Sequence, residues 1–356
     1  LTYGLLLLFC WLLLVSLLFG LWSILLLKNK KINLLKQKII NTIVGLGVAS
    51  IFLWLATKDV SFEQIIAHIK VAKLHFVVLA ALFYLMSFYA RSQKWKLQIN
   101  SLSYEFSSQN SFYSIAIHYF ANTFSIKLGA VFRSVFMKRK QQIPVSISLG
   151  AFLSENIFDF LFLFIGLLFS LVLNFEAVTN VFRNFIFSIF NNITSHTIVL
   201  VVAIVLLLLA IGLTFFFYEK LLTEKNKARF KNLLYSIKQT FRVKPLWQFI
   251  VWQVVLWVLL ALMNLFLFKA LFNSAPSFSF LVTITSFIYA SWVLPSPGAI
   301  GSVEYFSIQA FSIFSLSKYQ ALSFGFLSNT LTLFVTIVLG LIVISINRFN
   351  IFSKNK

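Results

Sequence analysis

The chain has few acidic residues and almost no cysteine. Nine Asp and Glu stand against thirty Lys and Arg in 356 residues, and the single cysteine is Cys10. One cysteine excludes an internal disulfide and argues against a thiolate metal site. Charged residues make up only 11% of the chain. The longest hydrophilic stretch, residues 219–244, is much shorter than the ~50 residues of a small independent domain. We therefore expect any activity to reside in the apolar part of the chain.

Hydrophobic residues make up 60% of the chain and aromatic residues 18%. Apolar stretches of about 20 residues recur along the chain, which is the length that crosses a bilayer as a helix. The pattern predicts an all-α integral membrane protein with about seven transmembrane helices and two re-entrant hairpins. The predicted spans lie near residues 4–27, 39–57, 74–95, 145–175, 196–218, 246–272 and 320–347, and the predicted hairpins lie at 111–137 and 279–315.

The formal net charge of +21 is distributed over alternate loops. Basic residues concentrate in residues 28–38, 91–110, 138–140, 219–245 and 348–356, whereas the loops at 58–73 and 176–195 carry little net charge. This alternation follows the positive-inside rule, so it predicts a multi-pass protein of a bacterial-type cytoplasmic membrane with a cytoplasmic C-terminus. We expect no nucleic-acid partner, because no soluble module combines basic and aromatic residues.

Proline is scarce, yet two of the five prolines stand in the segment Pro295-Ser296-Pro297-Gly298-Ala299-Ile300-Gly301. Glu304 follows three residues later, inside an otherwise apolar run. Hydrocarbon tolerates neither broken backbone nor a carboxylate unless protein or a wet cavity surrounds it. The segment therefore predicts a hairpin whose tip lies at membrane depth, as in transporters with discontinuous helices.

The predicted orientation of the spans indicates an inverted repeat. The order helix, hairpin, helix occurs at about 74–175 and again, with the opposite orientation, at about 246–347. Such a repeat implies a pseudo-twofold axis in the membrane plane and a site where the two hairpin tips meet. We expect residues 1–38 to form an additional N-terminal anchor and basic loop, 39–347 the transmembrane domain, and 348–356 a cytoplasmic tail.

Three acidic residues, Glu155, Asp159 and Glu304, lie deep in apolar segments. Each charge near the bilayer centre costs about 2.5 to 3.5 kcal/mol on insertion scales, so these groups must be paired, protonated or hydrated. Lys127 and Arg133, in the first hairpin, are the nearest candidate cations along the predicted topology.

The chain resembles the transmembrane, flippase-type region of lysylphosphatidylglycerol synthases, and we expect it to be a stand-alone member without the soluble synthase domain. The segment from Pro295 to Glu304 is similar to the family signature Pro-x-Pro-Gly-Gly-x-Gly-x-x-Glu, with Ala299 in place of the second Gly of its pair. Arg91-Ser92-Gln93-Lys94-Trp95 is similar to the family's basic and aromatic ending of an early helix, although such residues are also common at membrane interfaces.

Two further segments resemble the family with substitutions. Residues 122–133 resemble its Asn, Pro-x-Arg-x-Gly-Glu, Arg pattern, with Ser125 for Pro, Lys127 for Arg and Ala130 for Glu. Residues 155–159 resemble Glu-Arg-x-x-Asp, with Asn156 for the Arg. The two lost charges, at Ala130 and Asn156, have opposite signs. Either a structural ion pair or the handling of substrate differs here.

The resemblance and the buried charges together predict a phosphate-binding site for a lipid. We expect Lys127 and Arg133 to hold the phosphate while the three buried acids tune the pocket or bind protons; the alternative is a buried network that only fixes the hairpins. The predicted substrate-binding residues are Asn122, Lys127, Arg133, Glu155, Asp159 and Glu304. The predicted structural residues of the hairpin tips are Gly129, Pro295, Pro297, Gly298 and Gly301.

The function that the resemblance implies is the translocation of a phospholipid, or of a lipid-linked headgroup, between membrane leaflets. The expected partners are anionic membrane phospholipids and a separately encoded lipid-modifying enzyme. We expect no cofactor, no metal and no lysyl transfer, since the family's synthase activity belongs to a separate soluble domain. Two alternatives stay open: a polyprenyl-phosphate-dependent glycosyltransferase that uses Asp59 and Glu63 in an outer loop, and a transporter of small solutes.

Overall fold

The computed structural model describes residues 34–57, 60–124, 128–175, 235, 245–272, 274–294 and 296–347, with side chains in the first range from residue 46 onward. All regular structure in these ranges is helical. The helices are α1 (Leu34–Thr57), α2 (Phe62–Lys70), α3 (Leu74–Asn100), α4 (Ser108–Phe124), α5 (Leu128–Gln141), α6 (Val145–Leu173), α7 (Leu246–Leu271), α8 (Phe278–Ser291), α9 (Ser302–Ile313) and α10 (Lys318–Asn347).

Four of these helices, α3, α6, α7 and α10, are long and apolar enough to cross a membrane. They contain 26 to 30 residues. At a rise of about 1.5 Å per residue each exceeds the ~30 Å hydrocarbon core. The predicted all-α membrane class is confirmed. The predicted spans at 4–27 and 196–218 lie outside the described residues.

The two predicted hairpins are pairs of short helices. Helices α4 and α5 form the first hairpin and α8 and α9 the second, and the two arms of each hairpin pack against each other. The arms contain 12 to 17 residues. Each arm is shorter than the ~20 residues that span a bilayer. Between α8 and α9 the chain forms a short 3₁₀ turn, Pro297–Ala299.

The long helices and the hairpins pack crosswise. Helix α3 packs along α7, while the arm α4 packs against α10 and the arm α8 packs against α6. Each hairpin therefore contacts the long helix that follows the other hairpin in the chain. A core rich in aromatic side chains fills the centre, with Trp95, Phe249 and Phe311 fully buried. Other aromatic side chains, such as Phe164 and Phe334, are exposed on the outside of the helices, as expected for surfaces that face lipid.

The tip of the second hairpin, residues 296–301, is positioned by helix α1. Gly301 has φ of +81°, and a Cβ on it would overlap the carbonyl oxygen of Ala49 and lie 2.8 Å from the backbone nitrogen of Leu53. A positive φ and a close backbone approach both favour glycine. Gly301 therefore lets α1 pack directly on the tip, which also contacts α4 of the first hairpin.

Candidate functional site

Both hairpins line one cavity of about 250 Å³. The end of α4 contributes one wall, and α3, α6, α8 and α10 contribute others. The second hairpin completes the lining with Trp292, Val293, Leu294, Ser296, Gly298 and Ala299. The chemically distinctive lining residues are Tyr84, Arg91, His118, Tyr119, Asn122, Asn156, Asp159, Tyr289, Ser296, Thr332 and Thr336. The described lining therefore combines hydroxyls, amides and aromatic rings with one Arg and one Asp.

Arg91 is the cation of the described cavity lining, although its side chain is largely buried. Its Nη1 donates to Asp159 Oδ2 at 3.2 Å, and its Nη2 donates to the hydroxyl of Tyr289 at 3.4 Å. The guanidinium carbon lies 5.2 Å from the ring centroid of Tyr119. Such cation–π contacts help to hold a guanidinium away from water. Arg91 is thus fixed at the cavity by one carboxylate and two aromatic residues.

The carboxylate of Asp159 is shared by two cations. Lys94 Nζ donates to Asp159 Oδ1 at 2.5 Å, in addition to the bond from Arg91. Gln253 Nε2 donates to the same Oδ1 at 3.1 Å, and Gln253 Oε1 accepts from Lys94. These residues belong to α3, α6 and α7, so the cluster joins both halves of the chain. Two positive charges share one negative charge, which leaves an excess of one positive charge beside the cavity.

Arg133 and Glu155 form a second buried ion pair, 2.8 Å long, between α5 and α6. Both side chains are almost inaccessible, at 1% and 3% exposure. The guanidinium stacks over the ring of Trp95, with Arg133 Cζ 3.6 Å from the ring centroid. This pair is electrically neutral, and neither residue is among those that line the cavity.

Glu304 is buried in the first turn of α9, behind the second tip, with 1% exposure. Its Oε2 accepts from the backbone N–H of Gly301 at 2.7 Å, and its Oε1 accepts from Asn329 Nδ2 at 3.2 Å. Among the described residues no Lys or Arg forms an ion pair with it. Glu304 thus differs from Asp159 and Glu155, which both have cationic partners.

The first hairpin is closed by a hydrogen bond between its two arms. Asn122 Oδ1, on α4, accepts from the backbone N–H of Gly129 in α5 at 2.8 Å, and Asn122 Nδ2 lies 3.1 Å from His118 Nε2. Space at Gly129 is restricted, because a Cβ there would lie 2.8 Å from Asn122 Oδ1. Lys127, in the connection between the arms, lies outside the described residues.

The second tip has two consecutive residues in left-handed conformation, Gly298 with φ of +58° and Ala299 with φ of +56°. Ser296 and Ser302 hydroxyls lie 3.0 Å apart across the turn. Pro297 begins the turn, whereas Pro295 lies outside the described residues, and the geometric role of the proline and glycine residues at this tip stays a prediction.

The structure places the predicted site residues in three groups. Asn122 and Asp159 line the cavity, Arg133 and Glu155 pair beside it, and Glu304 lies behind the tip. The expectation that Lys127 and Arg133 supply the cations nearest to the two acids of α6 is wrong for Asp159, whose partners are Arg91 and Lys94. Whether the predicted residues bind substrate stays a prediction.

Arg91 and Lys94 belong to the segment that resembles the family's basic and aromatic helix end, but they were not among the predicted site residues, and neither were Gln253 and Tyr289. The spacing of Arg91 and Lys94 could have indicated a shared partner, because residues three apart lie on the same face of a helix. Of the two acids proposed for the alternative glycosyltransferase, Asp59 lies outside the described residues, and Glu63 is exposed on α2.

These features define a polytopic helical membrane protein with a polar cavity between two broken hairpins. The chain belongs to the family of the lysylphosphatidylglycerol synthase transmembrane region, whose sequence model matches residues 42–340. The match includes both hairpins, both buried ion-pair clusters and Glu304. No curated protein and no solved structure matches the chain significantly.

Proposed function

We propose that this protein moves an anionic phospholipid, or a lipid-linked phosphate headgroup, between membrane leaflets, with the cavity between the hairpin tips as its headgroup site. Family membership supports a role that involves membrane lipids. The observation that carries the proposal is the excess positive charge of the cluster formed by Arg91, Lys94 and Asp159, which lies at a cavity in an apolar surrounding.

Charge balance favours an anionic ligand. An uncompensated charge in a medium of low dielectric is costly, so the cluster favours the binding of one negative charge. A phosphodiester would bind the Arg91 guanidinium, while Lys94 and Gln253 continue to hold Asp159. The cluster would then contain two charges of each sign, and the phosphate would receive charge-assisted hydrogen bonds.

The described lining offers little to a cationic headgroup. Its one carboxylate, Asp159, already accepts from Arg91, Lys94 and Gln253. Asn156, which replaces the Arg of the family pattern, lines the cavity as a neutral amide. An aminoacylated lipid would bring its ammonium group towards Arg91, and the described lining has no free carboxylate to bind that ammonium group. We therefore propose that such lipids are poor substrates.

The packing pattern supports the proposed inverted repeat. If α3, α4, α5 and α6 correspond to α7, α8, α9 and α10, then the contact of α4 with α10 corresponds to that of α8 with α6. The contacts of α5 with α6 and of α9 with α10 correspond in the same way. Two halves that rock about the shared α3 and α7 pair would expose the cavity to each leaflet in turn.

The domain boundaries and the membrane orientation complete the proposal. Residues 1–38 would form an additional anchor, 39–347 the translocating domain, and 348–356 a cytoplasmic tail of a protein in a bacterial-type cytoplasmic membrane. Lys127 would bring a further cation to the first tip. A separately encoded lipid-modifying enzyme would supply the substrate.

The test compares lipid classes in one preparation. Liposomes that contain the purified protein would carry fluorescently labelled phosphatidylglycerol, phosphatidylcholine or lysylphosphatidylglycerol, and a membrane-impermeant quencher would report leaflet exchange. We expect exchange of the anionic lipid to exceed that of the other two and that of protein-free liposomes. Equal exchange of all three, or exchange of none, would contradict the proposal.

A further inference from the structure

Glu304 differs from the other buried acids in how its charge is compensated. Asp159 has two cationic partners and Glu155 has one. Glu304 receives hydrogen bonds from the backbone N–H of Gly301 at 2.7 Å and from the amide of Asn329 at 3.2 Å, but it has no ion pair with a Lys or Arg among the described residues. The beginning of a helix and two hydrogen bonds stabilise a carboxylate in part, but they do not neutralise its charge.

The surroundings of Glu304 offer no second ionisable group in contact with it among the described residues. Helices α1, α8 and α10 pack against α9. The described side chains of α1, residues 46–57, include no ionisable group. On α8 the ionisable group is Tyr289, whose hydroxyl accepts a hydrogen bond from Arg91. On α10 the ionisable groups are Lys318 and Tyr319, which lie in the first turn of that helix, about three turns before Asn329. On α9 itself, Tyr305 packs edge-on against Phe52 of α1.

The amide of Asn329 can bond to Glu304 in either protonation state of the carboxyl group. The side chain is 4% exposed, and its Oδ1 is buried without a hydrogen-bond partner. A 180° rotation of the amide would direct Oδ1 towards Glu304 Oε1, where it could accept a hydrogen bond from a protonated carboxyl group, and Nδ2 would take the position that Oδ1 leaves. Amide orientation is assigned from hydrogen bonding, so both orientations fit the same atomic positions.

We propose that Glu304 and Asn329 form a proton-binding site in which the neutral carboxyl group of Glu304 donates to Asn329 Oδ1. The ligand is a proton from the aqueous phase, which converts the carboxylate to a carboxylic acid. Gly301 N–H continues to donate to Oε2, but to a neutral acceptor, and hydrogen bonds to ionised groups are the stronger ones. Protonation therefore weakens the bond that fixes the tip at Gly301.

The position of Glu304 connects this site to the cavity. The tip that Glu304 fixes contributes Ser296, Gly298 and Ala299 to the cavity lining. A proton on Glu304 would loosen one wall of the cavity, and its release would restore that wall. This consequence rests on the proposed function, because it couples proton binding to lipid movement; the proton site itself does not depend on it.

The test is infrared difference spectroscopy of the purified full chain in lipid nanodiscs during a pH titration. A protonated buried carboxyl group gives a carbonyl band that is separate from the carboxylate bands. We expect this band to appear as the pH falls, to be lost in Glu304→Gln, and to persist in Glu63→Gln, which removes an exposed carboxyl group. In Asn329→Ala we expect the band to shift to higher frequency, because the acid loses its acceptor.

The outcome is independent of lipid transport. A band that persists in Glu304→Gln, or the absence of any titrating band in the wild type, would overturn the proton site even if lipid exchange is observed. If Glu304→Gln does not fold, a band that does not shift in Asn329→Ala would overturn it equally. A confirmed band without lipid exchange would instead contradict the proposed function alone.

Discussion

Replacement of Asp159 by Asn tests whether the shared carboxylate holds the two halves of the protein together. The substitution keeps the shape of the side chain but removes the single negative charge between Arg91 and Lys94. Lys94 is fully buried, so it cannot recover its hydration. Removal of one partner of a buried ion pair costs about 3 to 5 kcal/mol. We expect Asp159→Asn to lower the free energy of unfolding by that amount.

A second substitution separates the charge effect from a loss of packing. Lys94→Met removes the buried ammonium while preserving a long apolar side chain. Replacement of a whole buried pair by apolar residues is often neutral or stabilising. We therefore expect Lys94→Met to recover about 2 kcal/mol or more in the Asp159→Asn background, a coupling within the range seen between residues in contact.

The assay is reversible unfolding in mixed micelles, followed by tryptophan fluorescence, for the wild type, both single variants and the double variant. The exposed Glu63→Gln serves as a control for the loss of one acidic charge. Additive effects of the two substitutions, with no recovery in the double variant, would refute the assignment of Asp159 as the shared partner of Lys94.

Three further substitutions test the tip and the second ion pair. Ala299→Gly should raise the free energy of unfolding by about 1 kcal/mol, because the residue has a positive φ that favours glycine; a destabilised variant would count against this backbone conformation. Gly301→Ala should lower it by about 2 to 5 kcal/mol and increase proteolysis near α1, since strain and overlap with α1 add; unchanged stability would contradict the close packing of α1 on the tip. Glu155→Gln should destabilise the protein more than the double variant Arg133→Met with Glu155→Leu, because the single variant leaves the buried Arg133 without its counter-charge; the reverse order in unfolding experiments would argue against that pairing.

The helices and hairpins were predictable because length and hydropathy determine them directly. A bilayer requires about 20 apolar residues, and the arms of the hairpins fall below that length on both sides of a polar tip. The predicted boundaries at 74–95 and 279–315 correspond to α3 and to the α8–α9 hairpin, with small differences at the ends. Glycine permits the positive φ found at Gly298 and Gly301, whereas the residue type does not indicate the positive φ of Ala299.

The ion pairing within the site was less predictable. The pattern from Arg91 to Trp95 fits a membrane interface as well as a buried helix face, because both use basic and aromatic residues. The structure extends α3 to Asn100, so Lys94 lies well inside the helix and is fully buried. The partners Gln253 and Tyr289 come from distant parts of the chain, and no local pattern indicates that they meet Asp159 and Arg91.

The most direct test of the central claim is leaflet exchange of labelled phosphatidylglycerol by Arg91→Gln compared with Lys138→Gln. Both variants lose one positive charge, but Lys138 is exposed at the end of α5, whereas Arg91 lines the cavity. The loss of a hydrogen bond to a charged group costs about 1.5 to 3 kcal/mol, so we predict that exchange falls about 10-fold to 100-fold in Arg91→Gln. We predict that Lys138→Gln exchanges the labelled lipid at the wild-type rate. Equal rates in both variants would contradict Arg91 as the phosphate-binding residue.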